Sequence, residues 1–143
     1  MTGLKVLICD DSEVALEVAK DVLEEAGYSV IATQNPLTVA YFVRKESPNL
    51  VLIDVNMPSV AGDTIAQITA EKGLSKGIPV VLHSDLPAEL LAQKAQKAGV
   101  AGFIRKTGDE QAFLNEVSRY LQPKNSDPGT APIAGGSSDV EPT

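Results

Sequence analysis

Three stretches of this chain are apolar almost from end to end: Leu4–Cys9, Leu50–Ile53 and Ile78–His83. A strand with one wet face alternates apolar and polar residues, whereas a strand covered on both faces has no polar side. These runs therefore require a sheet sandwiched between other elements. Two further runs, Tyr28–Thr33 and Val100–Ile104, read as strands of the same sheet. Segments of helical period separate them. The first places Val14, Val18, Val22 and Ala26 at four-residue steps with Leu23 beside them, and Gly27 stops it. The second opens on the capping pair Asn35-Pro36, packs Val39, Phe42 and Val43, and ends at Ser47-Pro48. The third carries Ile65 and Ile68 and fades into Lys72-Gly73. The fourth runs from about Leu86 to Ala98, with Asp85 as the expected cap and Gly99 as the stop. The fifth opens on Thr107 and Glu110, spaced as a capping box, and packs Phe113, Leu114, Val117 and Leu121. Five β-α units in succession predict an α/β fold on a parallel sheet with right-handed crossovers. Such sheets bind their ligands beyond the carboxyl ends of the strands.

The length of 143 residues suits one domain. Aromatic residues make up only 4% and Trp is absent, so the core is aliphatic and stacking sites for bases are not expected. The 12 basic residues against 19 acidic ones give a net charge of −7, which disfavours nucleic-acid backbones and anionic membranes. The single cysteine, Cys9, excludes an internal disulfide, and one His with one Cys makes a zinc site improbable. Cys9 reads as a small core hydrophobe and His83 as a packed or surface residue, on the strand face opposite Ser84, rather than a ligand or catalyst. The first apolar run is too short for a leader or a membrane span, so the expected compartment is the cytoplasm. From Gln122 onward Pro123, Pro128, Pro132 and Pro142 are mixed with Gly and Ser, and no element pattern remains. Residues 1–121 are therefore expected to fold, and 122–143 to form a disordered tail.

The strand ends concentrate the chemistry. Strand one ends in Asp10-Asp11, strand three in Asp54, strand four in His83-Ser84-Asp85 and strand five in Arg105-Lys106. Three clustered carboxylates either hold a proton or surround a cation. Oxygen-only ligands select a hard ion, and Mg²⁺ is the usual one where phosphate is involved. An ammonium from Lys106 and a hydroxyl from Ser84 complete a site suited to a transferring phosphoryl group. The nucleophile would be the carboxylate on the central strand. The plainer reading of Asp10 and Asp11, as caps of a helix beginning at Ser12, leaves Asp54 unexplained.

Asp10-Asp11, then Asp54-Val55-Asn56-Met57-Pro58 with Gly62, then Ser84, then Gly102-Phe103-Ile104-Arg105-Lys106 follow one another in that order. On these motifs the stretch from about Leu4 to Leu121 resembles the receiver domain of two-component response regulators. The resemblance implies a doubly wound, flavodoxin-like three-layer sandwich on a five-stranded parallel sheet of order 2-1-3-4-5. It implies that Asp54 accepts a phosphoryl group from a sensor histidine kinase or a histidine phosphotransfer protein. Asp11 would ligate Mg²⁺ directly, Asp10 directly or through water, and the backbone carbonyl of Asn56 would be a further ligand. Lys106 would pair with the acceptor, Ser84 would be the switch hydroxyl, and the Phe103 rotamer would follow it. Output would pass to a downstream protein through the face of the fourth helix, fifth strand and fifth helix, from a monomer or weak dimer. The chain departs from the pattern at Thr107, where proline is usual, and at Asp85, where small residues are common. Two other readings stand beside this one. One is a degenerate receiver that docks partners without phosphorylation. The other is a haloacid-dehalogenase-like phosphatase, whose nucleophile follows the first strand as Asp-x-Asp, unlike Asp10-Asp11-Ser12.

Overall fold

A computed structural model describes residues 3–55 and 77–121. The predicted third helix, the Asn56–Met57–Pro58 motif with Gly62, and the tail from Gln122 lie outside the described residues. Five strands form one parallel sheet: β1 (Lys5–Cys9), β2 (Ser29–Thr33), β3 (Leu50–Ile53), β4 (Val80–Ser84) and β5 (Gly102–Arg105). Their order is β2-β1-β3-β4-β5, as the resemblance implied. Four described helices flank it: α1 (Glu13–Glu25), α2 (Val39–Glu46), α3 (Ala88–Ala98) and α4 (Glu110–Tyr120). The last two are the predicted fourth and fifth helices.

The uninterrupted apolar runs have the predicted consequence. Every residue of β3 and β4 is buried, as is β1 after Lys5. Successive side chains project to opposite faces, so one sheet feeds two cores. Leu7, Cys9, Val51, Ile53, Val80 and Leu82 meet α2 and α3 through Val39, Val43, Leu91 and Ala95. Val6, Ile8, Leu50, Leu52 and Val81 meet α1 and α4 through Leu16, Ala19, Leu23 and Val117. Each fully buried Leu or Val contributes on the order of 1.5–3 kcal/mol, so the inner strands supply much of the apolar stabilisation of the described residues. The edge strand β2 is only partly covered, and its residues alternate less cleanly.

Local chemistry corrects three expectations and refines a fourth. In α1 the inward face is Leu16, Ala19, Val22 and Leu23, while Val14 and Val18 are 73% and 55% exposed. The helix has two apolar stripes, and the one that includes Leu16 and Leu23 packs. Asn35 does act as a cap, accepting from the Leu37 N–H, but the capped turn is a 3₁₀ segment, Pro36–Thr38, that leads into α2. Asp85 does not cap α3. That helix starts after Pro87, whose fixed φ suits a helix entry, and Asp85 stays exposed. The capping box at Thr107 is displaced as well. Asp109 caps α4 through the Ala112 N–H at 3.0 Å, and Thr107 Oγ1 accepts from the Asp109 N–H at 3.3 Å. Gly102 is fixed by a close approach. Any Cβ there would collide with the Tyr120 hydroxyl, so α4 seats on β5 through a glycine.

Candidate functional site

The ladder itself brings the carboxylates together. Cys9 pairs with Ile53 in the β1–β3 register, and the Asp54 N–H donates to Cys9 O at 2.9 Å one step further on. Asp10 and Asp54 therefore leave adjacent strands side by side. Both are buried, at 2% and 5% exposure, while Asp11 is exposed. One carboxylate oxygen from each of the three lies within 4.8 Å of the others. Asp10 is oriented from two sides. Its Oδ1 accepts from the Ser12 N–H at 2.9 Å, and its Oδ2 accepts from Lys106 Nζ at 2.5 Å. Ser12 in turn caps α1, its Oγ accepting from the Ala15 N–H, so the acidic pair sits in the cap rather than forming it.

Lys106 arrives from β5 on the far side of β4. Its own N–H donates to Ser84 O at 2.7 Å, which ties the β5 end to the β4 end. Its ammonium then reaches over to Asp10 and stands 3.7 Å from Asp54 Oδ2. The expected partner was Asp54, yet Asp10 is the nearer carboxylate. Among the described residues, three carboxylates and one ammonium converge here, with a formal charge of −2 and only oxygen and amine groups as candidate ligands. That donor set fits a hard divalent cation, and Mg²⁺ suits it. Ser84 is fully buried, and its Oγ accepts from the Leu86 N–H at 3.1 Å. Phe103 is half-buried opposite Leu82, against the core that α2 and α3 cover. The Asn56 carbonyl falls outside the described residues.

Two neighbours sharpen the electrostatics. Cys9 is 1% exposed, and burial, followed by Asp10, Asp54 and Asp11, pushes its thiol up to about 12. Its thiolate fraction at pH 7 is then on the order of one in a hundred thousand. Iodoacetamide should leave Cys9 unmodified in the native chain and label it fully in urea, as intact-mass analysis would show. Rapid native labelling would contradict this burial. His83 is 7% exposed and stacks on Phe113 at 5.2 Å. Burial, helped by the Lys106 charge, pulls its imidazole down to about 4, against a smaller opposite pull from Asp10. Of the two expected placements, packed or on the surface, the structure gives the packed one, and its stacking partner could not be read without the tertiary fold.

Sequence reasoning missed Arg105 as anything but a neighbour of Lys106. Its Nε donates to Leu86 O at 2.9 Å, across the loop after β4. It also missed a groove of about 280 Å³ beside Lys106, lined by Ala15, Val18, Ala19 and Phe113. Among the described residues no helix is long and apolar enough to cross a membrane.

With this geometry in place, three comparisons point one way. The family model described as the response regulator receiver domain matches residues 6–118. The polar-differentiation response regulator DivK of Brucella anthropi is 25% identical over 116 residues, covering 81% of this chain and 94% of that protein. The chemotaxis protein CheY4 of Vibrio cholerae has a TM-score of 0.77 at 22% identity, covering 84% of this chain and all of that one. The BeF₃-activated receiver domain of Klebsiella pneumoniae RstA has a TM-score of 0.74 at 21% identity, covering 83% and 99%. At these identities the two solved structures speak for the fold.

Proposed function

This chain belongs to the response regulator receiver family, and on that footing we propose that Asp54 accepts a phosphoryl group from a phosphohistidine on a kinase or phosphotransfer protein. The observation that carries the reading is the convergence of Asp10, Asp11, Asp54 and Lys106 at one sheet edge. An Asp54 carboxylate oxygen attacks phosphorus, a new P–O bond forms, and the P–N bond to the donor imidazole breaks. The imidazole leaves with that electron pair and takes a proton from water. Asp10, Asp11 and Asp54, with the Asn56 carbonyl, would hold Mg²⁺, which supplies positive charge to the phosphoryl oxygens. Lys106 stands where its ammonium can follow that charge from Asp10 and Asp54 onto the new phosphoryl group. Ser84 can donate its hydroxyl to the same group once its loop rearranges. The output is a shift between two conformers, read by a downstream protein at the α3–β5–α4 face. The chain acts as a signalling domain, with chemistry confined to its own phosphorylation and dephosphorylation.

The test is incubation with Mg²⁺ and acetyl phosphate, then intact-mass analysis. One phosphoryl group should be gained, and excess chelator should prevent it. No gain from any donor, a kinase included, would leave a docking module that works without phosphorylation.

The groove between α1 and the β5–α4 turn suits the donor protein. Val14 and Val18 are exposed on α1 beside it, and Lys106 lies at its edge. A carboxylate at an apolar contact is costly to bury. Val18→Glu should lower transfer from a protein donor at least tenfold and leave acetyl phosphate uptake within twofold of the parent. Equal losses with both donors would show that α1 does not select the donor.

A further inference from the structure

We infer that Arg105 is a positioning residue that latches the loop after β4 in its resting arrangement and so restrains Ser84. The inference rests on the proposed phosphorylation of Asp54. The Arg105 guanidinium reaches across from β5 to two successive backbone carbonyls, donating from Nε to Leu86 O at 2.9 Å and from Nη2 to Asp85 O at 3.5 Å. Leu86 is held at its other end too, because its N–H donates to Ser84 Oγ. The Ser84 carbonyl accepts from the Lys106 N–H, next to Arg105 in sequence. The main chain of Ser84 is thus fixed, and its hydroxyl oxygen is committed to an amide two residues on.

A move of the hydroxyl toward a phosphoryl group on Asp54 breaks the Leu86 N–H bond and displaces the 85–86 backbone. Arg105 opposes that displacement, since its charge-assisted bonds exist only in the resting arrangement. A contact made in one of two states biases the balance between them. Removing it shifts the population toward the phosphoryl-ready loop.

The test compares the parent, Arg105→Met, which keeps the aliphatic stem, and Arg105→Lys, which keeps the charge with a single donor group. Each is made with Ser84 and with Ser84→Ala. Arg105→Met should speed uptake from acetyl phosphate about fivefold, the scale of one hydrogen bond. Arg105→Lys should fall between it and the parent. The gain should vanish in the Ser84→Ala background. Leu86 amide exchange, measured without any donor, should be faster in Arg105→Met. An unchanged rate, a gain that persists without the Ser84 hydroxyl, or an unchanged Leu86 exchange overturns the latch while leaving phosphorylation of Asp54 standing. A parent chain that takes up no phosphate overturns both.

Discussion

Replacing Lys106 with Met is expected to slow phosphoryl uptake by roughly 10²–10³-fold, the cost of deleting one preorganised charge at a developing anion. The expectation comes from position. The ammonium is 2.5 Å from Asp10 and 3.7 Å from Asp54, the shared edge at which a phosphoryl group would arrive. The same variant carries a stability signature. Breaking a buried ion pair costs about 3–5 kcal/mol, and a Lys106 side chain that is 26% exposed reduces this to about 1–3 kcal/mol. Three carboxylates without the ammonium bind a divalent ion more eagerly, so added Mg²⁺ should narrow the deficit by mass action. Urea unfolding of parent and variant, with and without Mg²⁺, reads both effects. A deficit that Mg²⁺ leaves unchanged would mean that the cluster does not hold the ion.

The second large effect concerns acid. His83 titrates near 4 in the folded chain against 6.5 when exposed, because burial disfavours its charged form. The unfolded chain therefore binds more protons between these values, and stability rises with pH across that window. The contribution is complete above pH 6.5 and is lost as pH falls, by about 2 kcal/mol at pH 5 and about 3 kcal/mol at pH 4. His83→Leu keeps an apolar side chain against Phe113 and removes the titrating group. Its stability relative to the parent should climb by that amount between pH 7 and pH 4, as urea midpoints would record. Parallel pH profiles for the two chains would show that the imidazole charges as freely in the fold as outside it.

How much of this could be read in advance depends on the range of the interaction. The Leu-Val-Leu-Ile run of β3 dictates its environment residue by residue, so the covered sheet and the placement of Asp54 at its end were directly legible. The acidic pair, Ser84 and Lys106 were equally visible, because strand ends in a parallel sheet share one edge. The helix faces were less so. Val14 and Val18 repeat at helical spacing as regularly as Leu16 and Leu23, and only packing decides which stripe turns inward. Caps are ambiguous in the sequence where two candidates compete within three residues, Asp85 against Pro87 and Thr107 against Asp109. The stack of His83 on Phe113 and the reach of Arg105 to Leu86 join residues 30 and 19 positions apart, and their register exists only once the layers are assembled.

The proposed work of the strand-end cluster is to direct phosphate to one carboxylate. Brief exposure to Mg²⁺ and acetyl phosphate, borohydride reduction of the acyl phosphate, and peptide mass analysis would locate it. The modification should map to Asp54 alone and should be absent from Asp54→Ala. A modification on Asp10 or Asp11, or one that survives in Asp54→Ala, would contradict the account.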